Sequence, residues 1–154
     1  MELERRAERA QMVFGRILML ANKLQILSDR IFTELTLKQW FLLILILRLE
    51  EDDLTITRLA DFSGTSRQNV SQILGHLEAK GFVVLSPSKA DARARAVSLT
   101  PKSYSYFVRN DRLAEERILE LFDGIDDDRL SHLDEILEML QQNVERQLRD
   151  GGGV

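Results

Sequence analysis

Residues 55–85 read TITRLADFSGTSRQNVSQILGHLEAKGFVVL, and their punctuation decides the fold. Thr55 stands where a helix N-cap belongs, and Ile56 to Phe62 then form a short helix. Ser63-Gly64-Thr65 is a turn in which Gly64 can take a positive φ at no steric cost. Thr65 or Ser66 caps a second helix, which runs to Lys80 and stops at Gly81, a frequent C-terminal position for glycine. Val70, Ile73, Leu74 and Leu77 recur at steps of three and four, so they form the buried stripe of that helix. Beyond it, Phe82-Val83-Val84-Leu85 is rich in β-formers, Pro87 to Asp91 is turn-like, and Arg93 to Leu99 alternates as a second strand. A short helix, a glycine turn, a second helix and a two-stranded hairpin make a winged helix-turn-helix.

The chemistry follows from which faces are spent. Burial of the Val70 stripe turns Ser66, Arg67, Gln68, Asn69, Ser71, Gln72, Gly75 and His76 outward. Arginine matches the guanine edge in the major groove, and asparagine and glutamine match adenine. Gly75 removes bulk where a helix approaches a groove. A solvated polar face is the plain alternative for this helix taken alone. The hairpin tip adds Lys89, Arg93 and Arg95 among small residues, with Asp91 between them. Small neighbours let arginine extend, and a narrow minor groove attracts extended arginine. Asp91 either pairs with a nearby arginine or caps the turn and holds the wing in shape. Between Leu54 and Thr100, six basic side chains face three acidic ones, a balance of +3 inside a chain of net charge −4, so the flanks carry −7. A basic middle between acidic ends suits contact with phosphate.

Outward from this lobe the sequence is helical. Phe14, Ile17, Leu18, Ala21, Leu24, Leu27, Ile31 and Phe32 lie on one face of a long helix from about Ala7 to Phe32. Thr36 caps a helix from Leu37 to about Leu49 that is apolar nearly all round. Pro101 opens a helix through Tyr104, Phe107, Val108, Leu113, Ile118, Leu119 and Phe122, and Gly124 interrupts it. Asp126-Asp127-Asp128 suits the positive end of a last helix, whose stripe is Leu130, Leu133, Ile136, Leu137, Leu140, Val144 and Leu148. The chain therefore divides into a first dimerisation helix (residues 1–35), the winged lobe (36–100), C-terminal dimerisation helices (101–150) and a frayed tail (151–154). The terminal helices carry more apolar surface than so small a lobe can cover. They either pack on each other within one chain or interlock with those of a second copy; an intertwined homodimer is the reading adopted. The fold class is thus mainly α with a small β-hairpin wing.

Composition sets the exclusions. With 44% hydrophobic and 30% charged residues the chain is an ordinary globular one. It has no cysteine, which removes disulfides, thiolate nucleophiles and Cys-ligated zinc. The apolar run from Trp40 to Leu47 is far short of the roughly 20 residues of a membrane span. The opening Met1-Glu2-Leu3-Glu4-Arg5-Arg6 lacks the order of a signal peptide, so a cytoplasmic location is expected. No nucleophile–base–acid set and no phosphate loop presents itself, so no enzyme and no cofactor is expected. His132 near Asp128 and Glu135 is read as a solvated helix histidine rather than a metal ligand. Phe14, Trp40, Tyr104 and Phe107 either line a pocket for a small aromatic effector or pack the core.

The runs Leu35-Thr36-Leu37-Lys38-Gln39-Trp40, Leu54-Thr55-Ile56-Thr57-Arg58-Leu59-Ala60, Ser66-Arg67-Gln68-Asn69-Val70-Ser71 and Leu77-Glu78-Ala79-Lys80-Gly81-Phe82-Val83 together resemble the multiple-antibiotic-resistance regulator (MarR) family. So does Asp91-Ala92-Arg93 followed by Leu99-Thr100. The resemblance spans residues 36–100. It implies a homodimer whose first and last helices interlock and whose winged lobes straddle a pseudo-palindromic operator on double-stranded DNA. The helix from Ser66 then enters the major groove and Arg93 the minor groove, and a small, often phenolic, ligand releases the DNA in many members. The chain departs from the family pattern in placing Ala92 and Ala94 on either side of Arg93, and Ser103 where a glycine often stands. The rival class is a winged-helix module that binds a protein partner rather than specific DNA.

Overall fold

A computed structural model of the chain describes residues 1–31 and 34–151. Among these residues the elements are α1 (Glu2–Ile31), α2 (Leu37–Leu49), α3 (Ile56–Ser63), α4 (Arg67–Ala79), β1 (Val83–Pro87), β2 (Arg95–Leu99), α5 (Pro101–Leu121) and α6 (Asp127–Asp150). Phe32, placed by its sequence on the first apolar stripe, lies outside the described residues, as do Gly152 to Val154 of the expected tail.

Helix starts lie where their capping residues put them. Thr36 accepts from the Gln39 N–H (3.3 Å) while the Gln39 side chain accepts from the Thr36 N–H (3.2 Å), a reciprocal capping box. Thr55 accepts from the Arg58 N–H (3.2 Å) and Asp126 from the Arg129 N–H (2.9 Å). Of the two candidates at the third cap the structure selects Ser66, which accepts from the Asn69 N–H (3.2 Å). Gly64 takes φ 64° after α3 and Gly81 takes φ 77° after α4, positions an L side chain adopts with strain. α1 begins five residues earlier than its apolar pattern suggests. Glu2 and Glu4 favour the first turn of a helix, and the Met1 ammonium meets Glu4 at 2.9 Å.

The chain forms two compact units, Met1–Val108 and Arg109–Val154, and the division falls within α5. The core of the first unit gathers Leu35, Leu42, Leu43, Leu54, Leu59, Val70, Leu74, Leu77, Phe82, Val83, Val97 and Tyr106. Three of the four apolar residues expected of α4 are fully enclosed, and Ile73 is half-buried against them. α2 is less enclosed than its composition suggests, because Phe41 on its outer side is exposed. Phe82 is fully buried. Its ring meets Tyr106 edge-on at 5.5 Å, and the Lys102 ammonium sits 4.4 Å from its centroid. α1 buries no residue.

The hairpin is antiparallel, with Val83 opposite Leu99 and Pro87 opposite Arg95. Its second strand starts at Arg95, not at Arg93. The Asp91 carbonyl accepts from the Ala94 N–H (2.9 Å) and the Asp91 side chain from the Arg93 N–H (2.9 Å), so both residues belong to the turn. The inner edge of β2 is tied to the segment before α3: the Val97 N–H donates to the Leu54 carbonyl at 2.9 Å, and Thr55 bridges Ala96. The wing is thereby stitched to the helix-turn-helix through its base as well as through Gly81.

Candidate nucleic-acid interface

α4 is set by Val70, Leu74 and Leu77, all with no exposed surface. Its far side presents Arg67, Gln68, Ser71, Gln72, Gly75 and His76 to solvent, with Ser66 exposed at the cap. A Cβ built on Gly75 meets nothing within 4 Å, so its lack of a side chain lowers the profile of the outer face and is not required by packing. Asn69 differs from its neighbours. It is half-buried and its Nδ2 donates to the Thr65 hydroxyl (2.9 Å), which ties the amide back into the turn.

In the wing, Lys89, Asp91, Arg93 and Arg95 are all exposed. Asp91 resolves its two expected roles in favour of the turn: its carboxylate accepts from the Arg93 backbone (2.9 Å) in an Asx-type arrangement. Arg67 from the start of α4 and Arg93 and Arg95 from the wing line one cleft of about 320 Å³, together with Thr55, Ile56, Thr57, Asp91 and Ala94. Arg67 of α4 and the two arginines of the wing thus line one opening, with Thr55 and Thr57 beside them. That set can take up an anionic oxygen array.

The cations of the lobe separate into two kinds. Arg58 pairs with Glu51 (3.3 Å) and lies 4.3 Å over the Phe62 ring. Lys80 donates to the Glu34 carbonyl (2.7 Å) and to the Gln39 side chain (3.2 Å). These two serve the fold. Arg67, Lys89, Arg93 and Arg95 form no ion pair among the described residues. The positive balance read from the sequence is therefore concentrated at the wing and the start of α4.

Asp53 plays no part in the readings drawn from the sequence, and the structure gives it a place in the wing. Its carboxylate accepts from the Ser88 hydroxyl (2.6 Å), the Lys89 N–H (3.1 Å) and the Ala90 N–H (3.2 Å). The Ser88 hydroxyl bond, then the Lys89 N–H, hold its pKa below the usual carboxylate range; partial burial opposes them, and the Ala90 N–H and the Lys89 charge add to them. A carboxyl whose folded pKa is lowered stabilises above its unfolded value, about 3.9, and the stabilisation is lost as pH falls through the folded value. The protection of the Lys89 and Ala90 amides against exchange, relative to the core amides of α4, is therefore expected to fall below about pH 4. Unchanged protection relative to the core amides of α4 would contradict it.

The four aromatic candidates do not share one environment. Phe14 and Tyr104 are exposed, while Trp40 and Phe107 pack against the core, Phe107 at 6.1 Å from Tyr106. His132 Nδ1 lies 2.7 Å from the Asp128 carbonyl of its own helix. Among the described residues there is no group of three side chains suited to hold a metal ion, and no helix long and apolar enough to cross a membrane.

The MarR family model matches residues 33–94, a span that takes in α2 and reaches the wing turn. The stretch that forms the helix-turn-helix and most of the wing is thus similar to the MarR family. Three solved structures extend the likeness beyond it. A MarR/EmrR family transcriptional regulator from Acinetobacter sp. ADP1 is 22% identical, with a TM-score of 0.78 over 89% of this chain and 97% of its own. The MepR–DNA complex of S. aureus is 17% identical, with a TM-score of 0.76 over 84% and 96%. Bordetella bronchiseptica BpsR, whose DNA binding is described as regulated by 6-hydroxynicotinic acid, is 19% identical, with a TM-score of 0.68 over 83% and 98%. No curated protein gives a match. At these identities the structural likeness speaks for the fold alone.

Proposed function

We propose that the chain is a transcription regulator that binds double-stranded DNA sequence-specifically, as a homodimer on a pseudo-palindromic operator. The observation that carries this reading is the cleft where Arg67, Arg93 and Arg95 converge beside the exposed polar face of α4. In this reading residues 36–100 contact DNA, while residues 1–35 and 101–150 join two copies. α4 enters the major groove with Gln68 and Gln72 foremost and Ser66, Arg67, Asn69, Ser71 and His76 around them; the wing follows the backbone and minor groove with Lys89, Arg93 and Arg95, and Asp91 shapes it. A twofold dimer reads half-sites about one helical turn, ~10 bp, apart or a small multiple of it. Occupancy of such a site in a promoter excludes polymerase, which makes the chain a repressor.

An effector belongs to the same proposal. BpsR supports it as a relative regulated by an aromatic acid. The exposed rings of Phe14 and Tyr104 and the partly buried Trp40 and Phe107 are the candidates to contact such a molecule.

The structure sharpens one expectation for specificity. Gln68→Ala removes an exposed amide and is expected to relax sequence preference at one position per half-site, by roughly 1–3 kcal/mol. Asn69→Ala removes an amide already engaged by Thr65 and is expected to cost less discrimination and more stability. Affinities measured across single-base operator variants separate the two.

The deciding experiment titrates the purified protein against DNA from its own promoter region at two salt concentrations, with random DNA as control. Tight, salt-sensitive binding with clear preference over the control supports the proposal and justifies a screen for ligands that release the DNA. No preference at either salt overturns it and favours a winged helix whose polar face binds protein.

A further inference from the structure

We infer that Asp53 is a positioning residue for DNA binding: its carboxylate clamps the wing so that Arg93 is held ready for the duplex, without Asp53 touching DNA itself. This rests on the reading of the wing as a DNA contact and names the residue that controls it.

The argument is a chain of acceptors that runs from the core to the arginine. Asp53 precedes Leu54, which is buried in the core and whose carbonyl receives the Val97 N–H. One Asp53 oxygen accepts the Ser88 hydroxyl and the Ala90 N–H, and the other accepts the Lys89 N–H. Ser88 is itself buried, and its hydroxyl oxygen accepts from the Ala90 and Asp91 N–H groups, each at 3.2 Å. The Asp91 carboxylate then accepts from the Arg93 N–H. The backbone donors of residues 89, 90, 91 and 93 are therefore all taken by this sequence of two carboxylates and one hydroxyl. A hairpin tip left to itself would present those donors to water and sample many shapes. Here one end of the chain of bonds is fixed to the core, so the tip inherits the order of the core. The arginine can then meet DNA without first losing the freedom of a mobile loop, and a preorganised contact binds more tightly for that reason.

Asp53→Asn turns an acceptor into a group that offers N–H towards N–H, and Ser88→Ala removes the middle of the chain; each is made alone and together with Arg93→Ala. Both single variants are expected to keep the helical circular dichroism of the parent and to accelerate amide exchange at Lys89, Ala90 and Asp91. Both are expected to weaken binding of operator and random DNA alike by about tenfold, the size of one lost charge-assisted hydrogen bond, and to flatten the salt dependence. In the Arg93→Ala background the same changes are expected to add less than about twofold, since the contact they serve is already gone. Parent-like exchange at the tip overturns the clamp, as does an undiminished loss in the Arg93→Ala background, which would mark a merely structural role. The two failures are distinct. Arg93→Ala without effect sinks the wing reading and Asp53's hold on affinity with it, whereas an effective Arg93→Ala beside a silent Asp53→Asn sinks the clamp alone.

Discussion

Arg93→Ala is expected to weaken binding to every DNA sequence by about 1.5–3 kcal/mol, the range of a hydrogen bond to a charged group, and to make the salt slope shallower by about 1. The geometry argues for a loss of affinity rather than of specificity. Arg93 stands at the exposed turn of the wing, between Ala92 and Ala94, and no acid pairs with it among the described residues. Its backbone is fixed by Asp91. A side chain so placed meets phosphate or the electronegative floor of the minor groove, features that every duplex presents. The contrast with Gln68→Ala is the informative part, because that change is expected to act at one base position and to leave the salt slope alone. Equilibrium titrations at four or more salt concentrations, on operator and random DNA, measure both quantities. An Arg93→Ala protein that kept its salt slope while changing its preferred operator would reverse the assignment of helix and wing.

What could be read from the chain, and what could not, divides by sequence separation. Thr36, Thr55, Ser66 and Asp126 cap helices through partners three residues away, and Gly64 and Gly81 act on their own backbone. Val70, Leu74 and Leu77 declare themselves by spacing. Such signals are local, so the order of elements and the outer face of α4 were legible. Asp53 meets Ser88 across 35 residues and Lys80 meets Glu34 across 46. Those separations leave no periodic trace, and an acid in a loop or a lysine at a helix end looks solvated until the fold closes. For the same reason the sequence counts Arg58 and Lys80 among the cations of the lobe, whereas the structure engages them with Glu51, Phe62, Glu34 and Gln39. The residue alternation that includes Arg93 in the second strand continues through the turn. Hydrogen bonding to Asp91, rather than residue pattern, ends the strand at Arg95.

Leu137→Asp combined with Leu140→Asp is expected to convert the protein to monomers and to lower operator affinity on the order of 100-fold or more. α6 buries none of its residues, yet Leu133, Ile136, Leu137, Leu140, Val144 and Leu148 stand exposed along it at helical spacing. A contiguous apolar stripe of that length is an interaction site in a folded protein. A second copy of the chain is the occupant that the proposed function requires, because a pseudo-palindrome is read by two lobes. In a twofold interface each substitution occurs twice, so two changes place four carboxylates in an apolar contact, where unpaired charge costs several kcal/mol per group. The loss of DNA affinity then follows from geometry: a monomer engages one half-site and forgoes the second, which the linked lobe would have bound at high effective concentration. Sedimentation velocity at micromolar protein tests the first half of the expectation, and titration against full and half operators tests the second. The substituted acids face solvent in the separated chain, so the near-native signal of the winged lobe, with Trp40 against its core, is expected to persist. A dimer that survived both substitutions with operator affinity intact would place the contact between copies on another surface, with the exposed apolar residues of α1 next in line.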